Sequence, residues 1–469
     1  MGPVPGRTLT GTPARLPAGR GRRGRLLAAG AVAFGLVLAS YLGYRLSHPL
    51  RATIDPVDLA VYRDGGLIVR HVRPAYRPGL AAPLYQWTGL GRLALKFTYP
   101  PFAAVVFAVI SFVPWPVLPG LSVAAGIACL VAALWSVFGG LGYAGRARLG
   151  AALLAAAAVF WAEPVIRTLY LGQVNLALLA LLMWDLCQSG AGARRWWRGS
   201  GVGIAAGIKL VPLIFVPYLL LTRRFRQAGM AAAGFAVTMA IGAAFLPADS
   251  ARWWLGGLFL DGERTGFPGW AGNQSLRGLI TRLAGSAAAA RPAWLAAAAV
   301  AAVAGLACAV LLDRAGHQVA GVLAAALTGL LVSPVSWDHH WVWVAPGAAV
   351  AAHYAIRAAA GGQRWQAAGL WALAGGLLAV FGAWPPALVG GTGGAGPFRF
   401  GLLWRPPNTS PAVYNRLGDR PWFAEYHWHG SQLLTGNAFV LAGLALLAVL
   451  VAVALSQVAA APDALSSPA

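Results

Sequence analysis

Two carboxylates, Asp55 and Asp58, lie three residues apart in the stretch IDPVDLAVYRDGG. On a helix that spacing puts both on one face. Asp55 stands directly before Pro56, the arrangement of an N-cap followed by proline at the first helical position, so capping accounts for it. Asp58 comes one turn later, where capping accounts for it less well. A carboxylate there could take a proton from a hydroxyl nucleophile. A second cluster, SPVSWDHH, brings Asp338, His339 and His340 to the end of an apolar run. Neighbouring helical positions diverge by about 100°, so one tetrahedral ion rarely takes both histidines and a metal site is not expected. The pair suits an anionic group or a substrate hydroxyl, or an interfacial belt with Trp337, Trp341 and Trp343.

Lysine is nearly absent. Against 34 arginines the chain has two lysines, Lys96 and Lys209. Lys96 opens KFTYPP, and Lys209 falls in the middle of an apolar run. A charge at that depth is costly and marks a functional site by default. A lipid phosphate is its natural partner, and snorkelling to the interface is the plainer alternative. Arg63, Arg70, Arg73 and Arg77 sit in one polar segment and suggest an anionic ligand. Gln173 and Asn175 in LGQVN, and Asn273 and Gln274 in GNQSLRG, could bond sugar hydroxyls or cap helices. Trp384, Tyr414, Trp422, Phe423, Tyr426 and Trp428, with His427 and His429, could stack on sugars or form a belt. The sequon at Asn408 carries little weight.

The elements that hold these residues are membrane spans. Of the 469 residues 58% are hydrophobic and 10% charged, where a soluble protein carries about 25% charged residues. Apolar stretches of about 20 residues, the length that crosses a bilayer, recur from Leu26 to Leu455. The formal charge of +23 is spread over short arginine clusters between the runs, at Arg20–Arg25, Arg194–Arg198 and Arg223–Arg226. That pattern sets orientation; a nucleic-acid surface would gather into one stripe, and no nucleic-acid partner is expected. The three cysteines fall in or at the ends of apolar runs and read as packing residues. No cleavable signal peptide is evident.

Residues 1–25 are expected to be a disordered, basic cytoplasmic tail, 26–457 the transmembrane domain, and 458–469 a disordered C-terminal tail. Positive-inside ordering puts every short arginine cluster and both termini in the cytoplasm. It requires the 101–115 run to be a half-span. It also requires 201–221, basic at both ends and broken at Lys209-Leu-Val-Pro212, to dip and return. About ten to twelve helices result, with the scarce polar chemistry on the external side.

In this order, DLAVYRDGG, FTYPP, LGQVN, GIKLVP followed by RRFR, NQSLRG and SWDHH resemble glycosyltransferase family 87, a family of the GT-C membrane glycosyltransferases. The resemblance covers about 26–457, without a matching motif in 386–435. It implies an all-α polytopic fold in the plasma membrane with a catalytic first external loop. It also implies a polyprenyl-phosphate sugar donor, usually polyprenol-phosphate-mannose, and transfer to a glycolipid acceptor, often an α-(1→2) mannose on phosphatidylinositol mannosides or related lipoglycans. Lipid-linked arabinofuranose is the alternative donor within the family. The resemblance implies Asp58 as general base, with Tyr62 following, and places His339 and His340 at the active site; together with Lys209, Lys96 and Tyr99 the histidines are expected to form the donor site. Asp55, Tyr62, Arg63, Gln173, Asn175, Asn273, Gln274, Trp337 and Asp338 would line the substrate, with no cofactor and no metal. The chemistry agrees: inversion needs one base for the acceptor hydroxyl, and a leaving phosphate needs cations rather than an acid. A lipid-linked sugar transporter is the reading from another class, but the chain shows no paired halves with matching helix breaks. A non-catalytic scaffold would not explain the clustered external polar residues.

Overall fold

The computed structural model describes residues 20–48, 54–72, 83–86, 95–188, 195–383 and 401–460. Arg73, Arg77, Arg194 and Trp384 lie outside them, as does most of the N-terminal tail. The described residues form helices and two isolated bridges, with no strand among them. In chain order the main helices are α1 (Arg20–Ser47), α2 (Val57–Val69), α3 (Pro101–Ala108), α4 (Leu118–Gly140), α5 (Gly145–Val159), α6 (Glu163–Leu171), α7 (Asn175–Leu186) and α8 (Ser200–Ile208). They continue as α9 (Phe215–Leu221), α10 (Phe225–Phe245), α11 (Leu276–Ala284), α12 (Ala287–Arg314), α13 (Gln318–Val332), α14 (Val344–Ala360), α15 (Arg364–Val380) and α16 (Ala438–Ala460).

Five helices among the described residues are long and apolar enough to cross a membrane: Arg23–Ser47 of α1, α4, α10, α12 and Ala438–Ser456 of α16. The bent pair α6 and α7, which turns through 118°, makes a sixth if counted as one span. This is a multi-pass membrane protein. Helix α1 begins at Arg20, so the end of the basic segment continues the first span as helix. Where α1 meets α5, Gly30 faces the Gly150 backbone with no room for a Cβ. Small residues allow this close approach, which helices need in lipid because hydrophobicity does not drive them together.

The arginine clusters gather at one end of the bundle. Arg226 donates to the Arg195 carbonyl at 3.0 Å. Arg224 pairs with Asp313 at 2.6 Å. Asp185, at the end of α7, accepts from the Gly199 amide at 2.9 Å and so caps α8 from another helix. Tyr143 and His353 meet at 3.2 Å. Helices α8 and α10 start side by side, with Gly199 against Gln227, and stay together as far as Gly207 against Thr238. The chain between them therefore enters through α8, breaks at Lys209, and returns through α9 to its starting end, as the arginines on both sides of 201–221 require. The run after Lys96 is likewise short, ending at Ala108 with a 3-10 turn to Phe112.

The capping role expected of Asp55 is not seen. Helix α2 starts at Val57, Pro56 holds the N-cap position, and no side chain caps the first turn. Asp55 instead donates its backbone N–H to the Tyr170 carbonyl at 3.2 Å.

Candidate active site

The motifs meet where helices break. Asp58 lies in the first turn of α2, where a negative charge is favoured by the helix dipole. Tyr62 follows four residues later on the same face. The LGQVN motif is the elbow between α6 and α7. Gly172 ends α6 with φ +67°, and its Cα lies against Leu59 of α2. Only glycine takes that backbone conformation without cost, and the turn presents Gln173 to α2. Tyr99 stands before the proline pair that opens α3.

These residues form one network. The Tyr62 hydroxyl donates to Gln173 Oε1 at 2.6 Å and lies 2.8 Å from the Tyr99 hydroxyl, which itself reaches Gln173 Oε1 at 3.3 Å. With its oxygen held by two phenols, Gln173 has its NH2 left to donate, and its side chain stands beside Asp58. Burial pushes the Asp58 carboxyl above its ordinary pKa, while His339, Gln173, Lys209 and Arg167 oppose the rise.

Lys209 caps α8 with extended backbone, at φ −148° and ψ 127°. Its Nζ donates to Asn175 Oδ1 at 2.9 Å and lies 2.9 Å from His340 Nε2. Since an ammonium only donates, His340 accepts through Nε2 and is neutral. Burial, with Lys209 and then His339 nearby, holds the His340 pKa well below the usual imidazole value. Asn175 in turn donates to the His339 carbonyl at 2.9 Å. Below Lys209, His340 and Asn175 opens a pocket whose other walls are mostly apolar, among them Leu178, Leu182, Phe215 and Leu330. The site thus has a carboxylate, a cation and an apolar trough in sequence.

Asp338 is buried behind this arrangement. Arg167 donates to its Oδ2 at 2.9 Å, and its Oδ1 lies 3.1 Å from His339 Nδ1. Burial would raise its pKa, but Arg167 and His339 hold it well below the usual carboxylate range. Both oxygens are engaged, so Asp338 has little to offer a substrate. Arg167 went unread in the sequence, although its spacing of four from Glu163 on α6 was visible. Trp404, from the segment before α16, donates to Glu163 Oε1 at 3.0 Å.

Several expected ligands are placed elsewhere. Asn273 and Gln274 have no exposed surface. Asn273 bonds the Pro268 carbonyl and the Ser336 amide. Gln274 bonds the carbonyls of Ala271 and Gly436 and the Phe439 amide. Their amides tie the GNQSLRG turn to the segment before Asp338 and to the start of α16, and do not face a ligand. Trp337 is half-buried, bridges to Asn273 and packs on Trp270. Lys96 is exposed and has no bond to the network among the described residues. Arg63 neighbours Asp64 on α2. Tyr414, Phe423 and Tyr426 pack around Phe267 as the core of a folded cap, which turns them away from serving as a sugar platform.

Comparison with known proteins gives the family. The chain is 34% identical over 317 residues to a polyprenol-phosphate-mannose-dependent alpha-(1-2)-phosphatidylinositol pentamannoside mannosyltransferase of Mycobacterium tuberculosis, covering 66% of this chain and 70% of that protein. It is 33% identical over 330 residues to a polyprenol-phosphate-mannose-dependent alpha-(1-2)-phosphatidylinositol mannoside mannosyltransferase of the same species, covering 67% of this chain and 73% of the relative. No solved structure matches the chain. The glycosyltransferase family 87 model matches residues 97–334, which include the FTYPP, LGQVN, GIKLVP and NQSLRG elements, and the chain belongs to glycosyltransferase family 87.

Proposed function

We propose that this protein transfers mannose from polyprenol-phosphate-mannose to a phosphatidylinositol-mannoside-type glycolipid, forming an α-(1→2) bond with inversion on the external face of the plasma membrane. The observation that carries the reading is that Asp58 lies within electrostatic reach of Lys209, and that Lys209 stands at the polar end of an apolar pocket. The prenyl chain lies along the apolar walls, which brings its phosphate to Lys209 and His340. Asp58, steadied by Gln173, takes the proton of the acceptor hydroxyl. The hydroxyl oxygen attacks the anomeric carbon from the face opposite the phosphate. The carbon–oxygen bond to phosphate breaks, and polyprenyl phosphate leaves with the bonding pair, balanced by the Lys209 ammonium. A desolvated carboxylate is a stronger base than a hydrated one, and its raised pKa serves the proton transfer.

The arginine-rich end of the bundle faces the cytoplasm in this reading, and both termini lie there. Alternation between the two ends then makes α1, α4, α5, α7, α10, α12, α13, α14, α15 and α16 the crossings, with α3 and the α8–α9 hairpin as partial ones. The names of the relatives favour mannose over arabinofuranose. The test is purified protein in lipid nanodiscs given polyprenol-phosphate-mannose and a phosphatidylinositol mannoside. Transfer that Asp58→Asn abolishes supports the reading. Transport of a lipid-linked sugar across a sealed vesicle without transfer would overturn it.

A further inference from the structure

His339 is held on three sides and open on one. Its carbonyl accepts from Asn175 at 2.9 Å and from the Thr168 hydroxyl at 3.3 Å. Its Nδ1 faces Asp338 Oδ1 at 3.1 Å. Its Nε2 is buried and has no hydrogen-bond partner, although the residue is only 6% exposed. An orphaned buried ring nitrogen costs free energy unless a bound molecule completes it. The His339 ring stands 4.8 Å from that of His340, which meets Lys209 through its Nε2, so the ring lies at the edge of the reaction centre. Lys209, His340, Glu163 and Arg167 are the other charged or titratable groups nearby.

The tautomer follows from what stands behind the ring. Arg167 donates to Asp338 Oδ2 at 2.9 Å and keeps the carboxylate ionised. An ionised carboxylate only accepts, so His339 Nδ1 carries the hydrogen and donates it. Arg167 is itself flanked by the rings of Tyr170 and Trp404, at 5.6 and 5.5 Å. Glu163, four residues earlier on α6, lies close to Asp338 and accepts from Trp404. Three distant segments thus converge on one carboxylate that has little left to offer a ligand.

We infer that Arg167 and Asp338 are positioning residues for the transfer: they fix His339 as the Nδ1–H tautomer, with Nε2 aimed at an oxygen of the bound donor opposite Asp58. The inference rests on the mannosyl-transfer reading for what is bound, but the ring state it assigns exists without substrate. Outer partners of a functional histidine typically contribute 10- to 100-fold, so Asp338→Asn is expected to lower kcat by about that factor with donor KM near the parent value. Asp338→Glu is expected to recover part of it. The decisive comparison is a double-mutant cycle. Once His339→Gln has removed the ring, adding Asp338→Asn costs no more than about twofold. The same full factor in both backgrounds would show that Asp338 acts apart from His339 and would overturn the inference. Histidine-selective 15N NMR of the full protein in nanodiscs supplies a readout without turnover. The signal lost in His339→Gln should report Nδ1–H in the parent and change in Asp338→Asn. If Asp338→Asn is poorly folded, Arg167→Lys, which keeps the charge but loses the directed Nε donor, replaces it. An unchanged tautomer in a folded variant overturns the inference. A tautomer that changes as stated, in a parent protein that transfers no mannose, upholds the positioning and refutes the proposed function instead.

Discussion

At Asp58 the demands of stability and of proton transfer pull in opposite directions. Burial raises its pKa, so the folded chain binds that proton more tightly than the unfolded chain does. Stability is therefore lost as pH rises from the unfolded carboxylate value through the folded one. Asp58→Asn is expected to unfold at a higher temperature than the parent at neutral pH, by differential scanning calorimetry in nanodiscs. The same variant should lose about 10² to 10⁴ of the transfer rate, the usual contribution of a general base. The acid limb of the kcat/KM profile should lie above that of a free carboxylate and vanish in the variant. At Lys209 the expectation is different. Lys209→Ala removes a charge-assisted donor, a loss of about 1.5–3 kcal/mol, so donor binding by competition should weaken roughly tenfold to a hundredfold. Lys209→Arg should recover only part, because a planar fork does not reproduce a compact ammonium between Asn175 and His340. The sequence made both residues conspicuous, one as an external carboxylate beyond its helix start and one as a rare lysine at depth. It did not separate Asn175, which holds Lys209, from Asn273 and Gln274, which hold backbone. Amides of the same type in equally polar motifs differ only in what the fold brings to them.

Elements carry the site through their interruptions. LGQVN is an elbow, GIKLVP ends in an extended cap, SWDHH starts a 3-10 helix at Asp338, and FTYPP precedes a proline-opened helix. Backbone freed at such breaks can be tolerated at membrane depth only where protein or a cavity surrounds it, which is the situation a binding site creates. The elbow is the most exacting of them. Gly172→Ala forces a side chain into the left-handed region at about 1–2 kcal/mol and drives its Cβ into Leu59. We expect a lower melting temperature, and a fall in kcat greater than the loss of folded protein explains, since Gln173 shifts off Asp58. Breaks of this kind were visible as glycine and proline, and the return of 201–221 followed from arginines on both sides. What local pattern could not show was the pairing of breaks far apart in the chain, such as Arg167 with Asp338.

For the molecule as a whole the arginine clusters and the polar network mark opposite ends. In a cysteine-free background, single cysteines at the exposed positions Asp261 and Glu263 should react with an impermeant maleimide on intact cells. Cysteines at Arg223 and Trp365 should react only after permeabilisation. The reverse pattern would put the site in the cytoplasm and remove the external acceptor. The multi-pass class was legible from composition, because apolar length is a property of single segments. The number of crossings was harder to read, since α5, α7 and α13 run between the two ends as helices of 12 to 15 residues, short of what a lone span needs. Their apolar surface is covered by neighbouring helices, and segment length no longer reports the crossing.

The cavity below Lys209 also bears on turnover. The donor is a phosphodiester with one negative charge, and the product left in the same trough is a phosphomonoester, which carries up to two at neutral pH. The prenyl contacts are identical for both. The only difference lies at the headgroup, where Lys209 and the neutral His340 meet a stronger anion after the sugar has gone. Departure of the spent lipid is then expected to be slower than departure of the loaded one, so that the product inhibits the enzyme. Polyprenyl phosphate should compete with the donor at lower concentration than the donor's own half-saturation, and a first rapid turnover should precede a slower steady rate in quenched-flow measurement. Equal affinities for the two lipids would mean that the trough, and not the cation at its end, sets residence.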